Sequence, residues 1–294
     1  MRDAFVRTVT SLLDEDPRTA LVLADISEDR FAPALRRHPE RVVNVGIMEQ
    51  TMVGVAAGFA MEGFHPFAHS LSPFIAERPY EQLKVDFGYQ GLGGTFVGVG
   101  GSYDYGSEGG THHSPADVQV MLAIPGMEVL VPGHPGEVDA LVRTTYANGR
   151  PTYFRLSAAT NKDAFDVVPG RMEIVRRGSL ATVIAIGPML TRTIQACEGI
   201  DVTLLYATSV WPFDRATVAS VVGDAPLVIS VEPFYEATIA AVVTSSLTHL
   251  PATFEWIGVP RAFIHSYGTP AELDADLELD APGIRRRLAA VLPR

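Results

Sequence analysis

Asn44-Val45-Gly46-Ile47-Met48-Glu49-Gln50, continuing as Thr51-Met52-Val53-Gly54-Val55-Ala56-Ala57-Gly58-Phe59-Ala60-Met61, is the stretch on which the reading turns. A β-like run, Val42 to Val45, ends at a glycine that can turn the chain sharply. A helix then opens with a glutamate in its first turn, where the helix dipole favours an acid. The dipole explains a carboxylate at that end. It does not explain one in a helix that is apolar on every side and therefore expected to be buried. The segment alone leaves a structural and a functional role for Glu49 both open.

Working outward, the flanking sequence alternates β-like and helical runs, the pattern of layered α/β domains. The first block is expected to span residues 1–161. Its strand candidates are Leu21 to Ala24, Val42 to Val45, Thr95 to Val99, Val129 to Val131 and Thr152 to Arg155. They are short and rich in β-branched residues, as strands buried on both faces of a parallel sheet are. Helices are expected over Asp3 to Glu15, Met48 to Glu62, Pro79 to Phe87, Ala116 to Ile124 and Gly136 to Asn148. The second block, 172–294, repeats the theme with strands at Ala181 to Ile186, Asp201 to Leu205, Leu227 to Val231 and Thr253 to Ile257. The polar segment 157–171, with Pro169-Gly170 near its end, reads as the linker. The fold class is α/β, two three-layer domains in tandem.

The 294 residues suit two domains, with 47% apolar and 19% charged residues. A net charge of −11 argues against nucleic acid or an anionic membrane as partner. Arg285-Arg286-Arg287, the tightest basic cluster, is expected to be a solvated helix end. One cysteine, Cys197, makes no internal disulfide and no zinc cluster; buried packing is expected for it, in a reducing cytoplasmic setting. Met1-Arg2-Asp3-Ala4-Phe5 does not read as a signal peptide. Leu180 to Leu190, the most apolar run, is too short to span a bilayer.

Generic motifs are missing. The glycine-rich stretch Gly98 to Gly110 holds two acids and is followed by two histidines, has no following lysine and opens directly into no helix, so it suits a substrate loop better than a phosphate cradle. His112 and His113 are adjacent and point apart on most backbones, which prevents joint metal ligation. No Gly-X-Ser-X-Gly elbow is present.

Against this background the chain resembles the transketolase family, in its split, two-subunit form. Gly46-Ile47-Met48-Glu49-Gln50 is similar to that family's Gly-Ile-X-Glu-(His/Gln) motif. Pro66-Phe67-Ala68-His69-Ser70 through Phe74 and Arg78-Pro79-Tyr80-Glu81-Gln82 resembles its next block. Gly106-Ser107-Glu108-Gly109-Gly110-Thr111-His112-His113 resembles the Gly-Glu-Asp-Gly-X-Thr-His-Gln loop. Ile124-Pro125-Gly126-Met127 to Val131-Pro132 and Gly268-Thr269-Pro270 follow in order. The resemblance implies a thiamine diphosphate pyrimidine-binding fold followed by a transketolase C-terminal-like domain.

It also implies roles. Glu49 would hydrogen-bond the aminopyrimidine ring of thiamine diphosphate, favouring the imino tautomer that deprotonates the thiazolium carbon. Phe74 would stack on that ring. Leu71 stands where the family often has another aromatic, Asp25 would lie near the cofactor across the dimer, and Glu77 joins the cofactor-side set. Read without the resemblance, Phe74 is a core phenylalanine and Asp25 a helix cap. His112 would bond substrate oxygens, and Glu108 stands where an aspartate recognises the donor's hydroxyl.

The family's Gly-Asp-Gly magnesium motif is absent; Gly223-Asp224-Ala225 is nearest and lies in the wrong domain. No metal ligand is therefore expected in this chain. Mg2+ and the diphosphate would be held mainly by a separate pyrophosphate-binding subunit, most simply in an α2β2 heterotetramer.

Arg2 matches one phosphosugar-binding arginine, but Asp29, Gly100 and Ala158 stand where the family has serine, histidine and arginine. Those losses remove charge-assisted bonds worth about 1.5–3 kcal/mol each. The implied activity is ketol transfer between substrates that are not a classical phosphosugar pair, fitting specialised metabolism. The alternatives are the β subunit of a 2-oxo-acid dehydrogenase-type decarboxylase or acyl or glycolyl transferase, a 1-deoxyxylulose-5-phosphate-synthase-like condensation, and a non-catalytic structural subunit. The Gly-X-Thr-His loop favours transketolase over the first.

Overall fold

The computed structural model describes residues 1–222 and 226–292; the Gly223-Asp224-Ala225 stretch lies outside them. The chain runs α1 (Arg2–Glu15), β1 (Thr19–Leu23), α2 (Glu28–Arg37), β2 (Val42–Asn44), α3 (Glu49–Met61), β3 (His65–Leu71), α4 (Ser72–Ala76) and α5 (Tyr80–Gln82). A π-helical turn, Leu83–Tyr89, leads into β4 (Gly94–Val99), α6 (Asp117–Leu122), β5 (Glu128–Leu130), α7 (Pro135–Thr145) and β6 (Pro151–Leu156). These six strands are parallel in the order β5-β6-β4-β3-β1-β2. The residues of β1, β4, β5 and β6 are all buried, as in a parallel sheet covered on both faces.

The remaining elements form β7 (Glu173–Arg176), β8 (Thr182–Ile186), α8 (Leu190–Ala196), β9 (Thr203–Ala207), β10 (Ser209–Trp211), α9 (Arg215–Val221), β11 (Leu227–Tyr235), α10 (Ala240–Ser246), β12 (Thr253–Val259), α11 (Pro270–Asp276) and α12 (Ala281–Val291). The second sheet has the order β12-β11-β8-β9-β7, parallel except for β7. β10 does not join it. That strand pairs antiparallel with β5 and closes the edge of the first sheet, so the second block lends a strand to the first.

Register decides where the site can be. Leu23 lies opposite both Asn44 and His69, and Leu71 lies opposite Val99. The carboxyl ends of β1, β2, β3 and β4 therefore finish side by side. Asp25, Glu49, the Phe74-to-Arg78 segment and Gly100 all follow those ends. The crevice outside the carboxyl ends of a parallel sheet is where α/β folds bind ligands.

Four expectations need correction. β3 and α2 escape the sequence pattern, because His65, His69 and Ser70 break the apolar run of one and Pro33 sits inside the other. The helix expected over Pro79 to Phe87 is one short turn that widens into the π-helical segment. α3 is not buried all round: Gln50, Thr51, Gly54, Gly58 and Met61 are exposed, and Ile47 and Met48 just before it are 71% and 54% exposed. Arg285 to Arg287 lie in the middle of α12 and not at its end; Arg285 and Arg286 are exposed as expected, but all three are engaged. Arg285 donates to the Ala196 and Glu198 carbonyls at the end of α8, Arg286 pairs with Glu278, and Arg287 pairs with Glu236. Unsatisfied carbonyls at a helix C-terminus attract such cations. Cys197 is fully buried. No helix among the described residues is long and apolar enough to cross a membrane.

Candidate active site

Glu49 is the first residue of α3 and only 4% exposed. Gly46, at φ +74°, turns the chain from β2 into this helix. Asn44 braces the turn: its side-chain oxygen accepts the N–H groups of Asp25 (3.0 Å) and Gly46 (3.1 Å). Its amide nitrogen donates to the Asp25 carboxylate at 3.0 Å. Asp25 is exposed, adopts a left-handed backbone at φ 62°, and caps no helix; Ser27 is the N-terminal boundary residue of α2. Asp25 thus helps to fix the turn that delivers Glu49.

Across the crevice, α4 carries Phe74. Arg78, just beyond that helix, donates from Nη1 to Glu49 Oε1 at 2.8 Å. Its guanidinium carbon lies 3.6 Å from the centre of the Phe74 ring. His112 also meets the Phe74 ring, edge-on, with centroids 5.3 Å apart. Glu49, Phe74 and His112 are therefore gathered into one place by three separate strand ends. The charged neighbour of Glu49 is a residue to which the sequence assigns no role.

His112 and His113 diverge. His112 contacts Thr111 Oγ1 at 2.9 Å and faces Tyr105 and Phe74. His113 is buried with neither ring nitrogen hydrogen-bonded, and its burial disfavours the protonated form. It lines a cavity of about 340 Å³ between the two domains, together with Glu77, Tyr235, His265 and Tyr267. Glu77 accepts from Ser114 Oγ at 2.9 Å, and partial burial raises its pKa above the ordinary carboxylate value. Glu77 therefore faces this cavity. Leu71 is buried at the end of β3. Glu108 is exposed on the loop before His112.

A smaller cavity of about 170 Å³ lies at the end of β4, lined by Arg2, Gly100, Asp104, Tyr105 and Ala158. At Gly100, a Cβ would stand 2.0 Å from the Tyr105 ring, on a backbone with φ +76°. Tyr105 thus fills the space a side chain at position 100 would take. Asp104 accepts the Ala158 N–H at 2.8 Å, and burial pushes its pKa up to about 6. Asp29 is exposed, in the first turn of α2.

Arg2, which lines that cavity, is held by a buried chain. Its Nε donates to Ser27 Oγ at 2.8 Å, and Ser27 contacts His69 Nε2 at 2.8 Å. His69 Nδ1 lies 2.9 Å from the Val97 carbonyl, which can only accept. Nδ1 therefore carries the proton, and Nε2 accepts from the serine. Burial lowers the His69 pKa to about 4, so the ring is neutral. This chain from α1 through α2 and β3 to β4 carries no sequence signal, because its members lie in unrelated parts of the chain.

Two family models together cover most of the chain: the transketolase pyrimidine binding domain over residues 1–161, and the transketolase C-terminal domain over 170–284. The chain belongs to the transketolase family. A protein of Rhodococcoides fascians described as "Uncharacterized 33.6 kDa protein in fasciation locus" is 38% identical, over 99% of this chain and 95% of that one. A subunit of the apulose-4-phosphate transketolase of Actinobacillus succinogenes is 31% identical, over 79% of this chain and 76% of its own. A solved split-gene transketolase, described as an inactive beta4 tetramer, superposes with a TM-score of 0.85. It shares 24% identity, covering 98% of this chain and 96% of that chain. The pyrimidine-binding domain of this transketolase-family chain implies thiamine diphosphate as cofactor.

The residues fit that group. The Arg78 guanidinium is a flat N–H donor stacked on Phe74 and bonded to Glu49. An aminopyrimidine ring needs the same two contacts, an aromatic face and a carboxylate. Among the described residues, no group of three His, Cys, Asp or Glu side chains is placed to hold a metal ion.

Proposed function

We propose that this chain is the small subunit of a thiamine diphosphate-dependent, transketolase-like transferase that moves a two-carbon ketol unit from a ketose donor to an acceptor. The observation that carries the proposal is the buried Glu49 carboxylate, bonded to the Arg78 guanidinium that lies over Phe74, the ring His112 meets edge-on, beside the exposed apolar side chains of Ile47 and Met48. When bound, thiamine diphosphate supplies a nucleophilic carbon that accepts and releases the ketol unit. Glu49 holds the pyrimidine nitrogen through a shared proton, Phe74 supports the ring face, and His112 donates to substrate oxygens.

The diphosphate and Mg2+ fall to a separate pyrophosphate-binding subunit, in an assembly of the α2β2 kind. Exposed Ile47 and Met48 support that partner, since exposed apolar surface beside a site is a favoured place for subunit contact. Two relatives point the same way, one described as a transketolase subunit and the other as a split-gene transketolase.

Substrate choice departs from ordinary phosphosugars. The cavity at the end of β4 presents Arg2 committed to Ser27, a carboxyl at Asp104 and no side chain at Gly100. Such a lining disfavours a phosphate dianion.

The test is reconstitution. Calorimetric titration of thiamine diphosphate with Mg2+ is expected to show tight binding only when this chain is combined with a subunit carrying Gly-Asp-Gly and a downstream asparagine. Binding and turnover by the isolated chain would defeat the proposal. Rapid turnover of xylulose 5-phosphate with ribose 5-phosphate would defeat its substrate part alone.

A further inference from the structure

Arg78 occupies the ground between Glu49 and Phe74, and nothing in the roles assigned so far employs it. Its Nη1 lies 2.8 Å from Glu49 Oε1 and its guanidinium carbon 3.6 Å above the Phe74 ring. Its own carbonyl accepts from Gln50 Nε2 at 3.2 Å, so the backbone of the Arg78 segment is tied to the first turn of α3. The Glu49 side chain is 5% exposed, whereas that of Arg78 is 44% exposed. The carboxylate is therefore fixed in the wall of the crevice. The arginine reaches it from the rim, on a flexible stem with a path back to solvent.

A guanidinium carbon 3.6 Å from the ring centre occupies the place of a stacked ring. A pyrimidine ring laid on Phe74 and bonded to Glu49 needs that same place and the same carboxylate edge. The two occupants exclude one another.

We propose that Arg78 is a placeholder: in the cofactor-free subunit its guanidinium stands in for the pyrimidine ring, and it swings out when that ring enters. The inference rests on the proposed thiamine diphosphate function and adds a device to it. While the cofactor is absent, Arg78 pairs a buried carboxylate that would otherwise be left without a partner, a strongly destabilising arrangement. It also covers Phe74 through a cation–π contact. Both interactions must break before the ring can bind. The isolated subunit is thereby biased against the pyrimidine half of the cofactor, and the diphosphate contacts made by the partner must overcome that bias. Cofactor retention then becomes conditional on assembly.

The experiment is a calorimetric titration of the reconstituted complex with thiamine diphosphate and Mg2+, comparing the unaltered chain with Arg78→Met. Methionine keeps an apolar stem over Phe74 but cannot bond Glu49. The expected result is about ten-fold tighter binding. A second readout needs no cofactor: Arg78→Met lowers the Tm of the isolated subunit, and Glu49→Gln in the same chain restores it. Should Arg78→Met fail to fold, Arg78→Lys keeps the charge and loses the planar stack, and several-fold tighter binding is expected from it. Unchanged or weaker binding in the variants overturns the placeholder and makes Arg78 a supporting residue of the bound state. Failure of the unaltered complex to bind thiamine diphosphate at all sinks the underlying functional reading instead.

Discussion

Glu49 and Glu232 are both buried acids, but they are buried for different reasons and make different predictions. Glu49 sits at the mouth of the crevice with Arg78 beside it. Glu49→Gln in the reconstituted enzyme removes the shared proton and is expected to lower kcat by about 10²–10⁴-fold, the usual range for a lost acid–base contact. Cofactor binding by calorimetry should change far less. Glu232 is fully buried on β11, away from the crevice, and accepts from Ser230 Oγ and the Ile239 N–H. Burial pushes its pKa up to about 8. In the unfolded chain it would ionise near the ordinary carboxylate value. The folded form therefore binds more protons between the two values, and the associated stability, present at low pH, is lost as pH rises to about 8. Glu232→Gln stays neutral, so its Tm relative to the unaltered chain is expected to rise across that window. The gain should be on the order of 4 kcal/mol at the top of the window, read from thermal melts at a series of pH values. A flat difference would show that Glu232 is not protonated in the fold.

At the scale of elements, α3 has a face the isolated chain does not cover. Gln50, Thr51, Gly54, Gly58 and Met61 are exposed along it, as are Ile47 and Met48 just before it, while Met52, Val53, Ala56 and Ala57 are buried. Ile47→Asp is therefore expected to leave the isolated chain within about 0.5 kcal/mol of its starting stability, as at other exposed positions. The same change should weaken assembly with the partner subunit, measured by sedimentation velocity. The loop after β4 makes the opposite case. Gly100→Ala drives a methyl group into the Tyr105 ring on a left-handed backbone, so a loss of stability by about 1–3 kcal/mol is expected in denaturant titration. Pairing it with Tyr105→Leu should recover only the steric part. How much of this is legible in the sequence differs by element. α3 is legible because its apolar run and its glycine turn are local. β3 is not, since its two histidines and serine read as polar until His69 is seen bonded to Val97 and Ser27.

The whole molecule is held together by contacts that cross from one block to the other. Arg155, at the end of β6, is fully buried; it pairs with Asp117 at 3.0 Å and donates to the Pro233 carbonyl of β11 at 3.0 Å. Tyr103 donates to Asp274 at 2.8 Å, and Arg192 pairs with the same carboxylate at 2.6 Å. With β10 completing the first sheet, the two domains share backbone as well as side-chain bonds. Arg155→Met strands Asp117 as a buried charge and is expected to reduce stability by about 3–5 kcal/mol in denaturant unfolding, with both domains responding in one transition. Two separate transitions, the second unmoved by the substitution, would show that the domains unfold independently.

Periodicity and turn chemistry are properties of neighbouring residues. They determined the α/β layering, the helix opening at Glu49 and the divergence of His112 from His113. Only the tertiary structure decided what those residues meet. Glu49 and Arg78 are separated by 29 positions, and their pairing depends on β2 and β3 ending at the same edge of one sheet. β10 is three residues long and carries no period of its own, so its place was set by the open edge of β5. Local pattern fixes which face of an element is apolar; long-range register fixes which charges are brought together, and that depends on every strand lying between them.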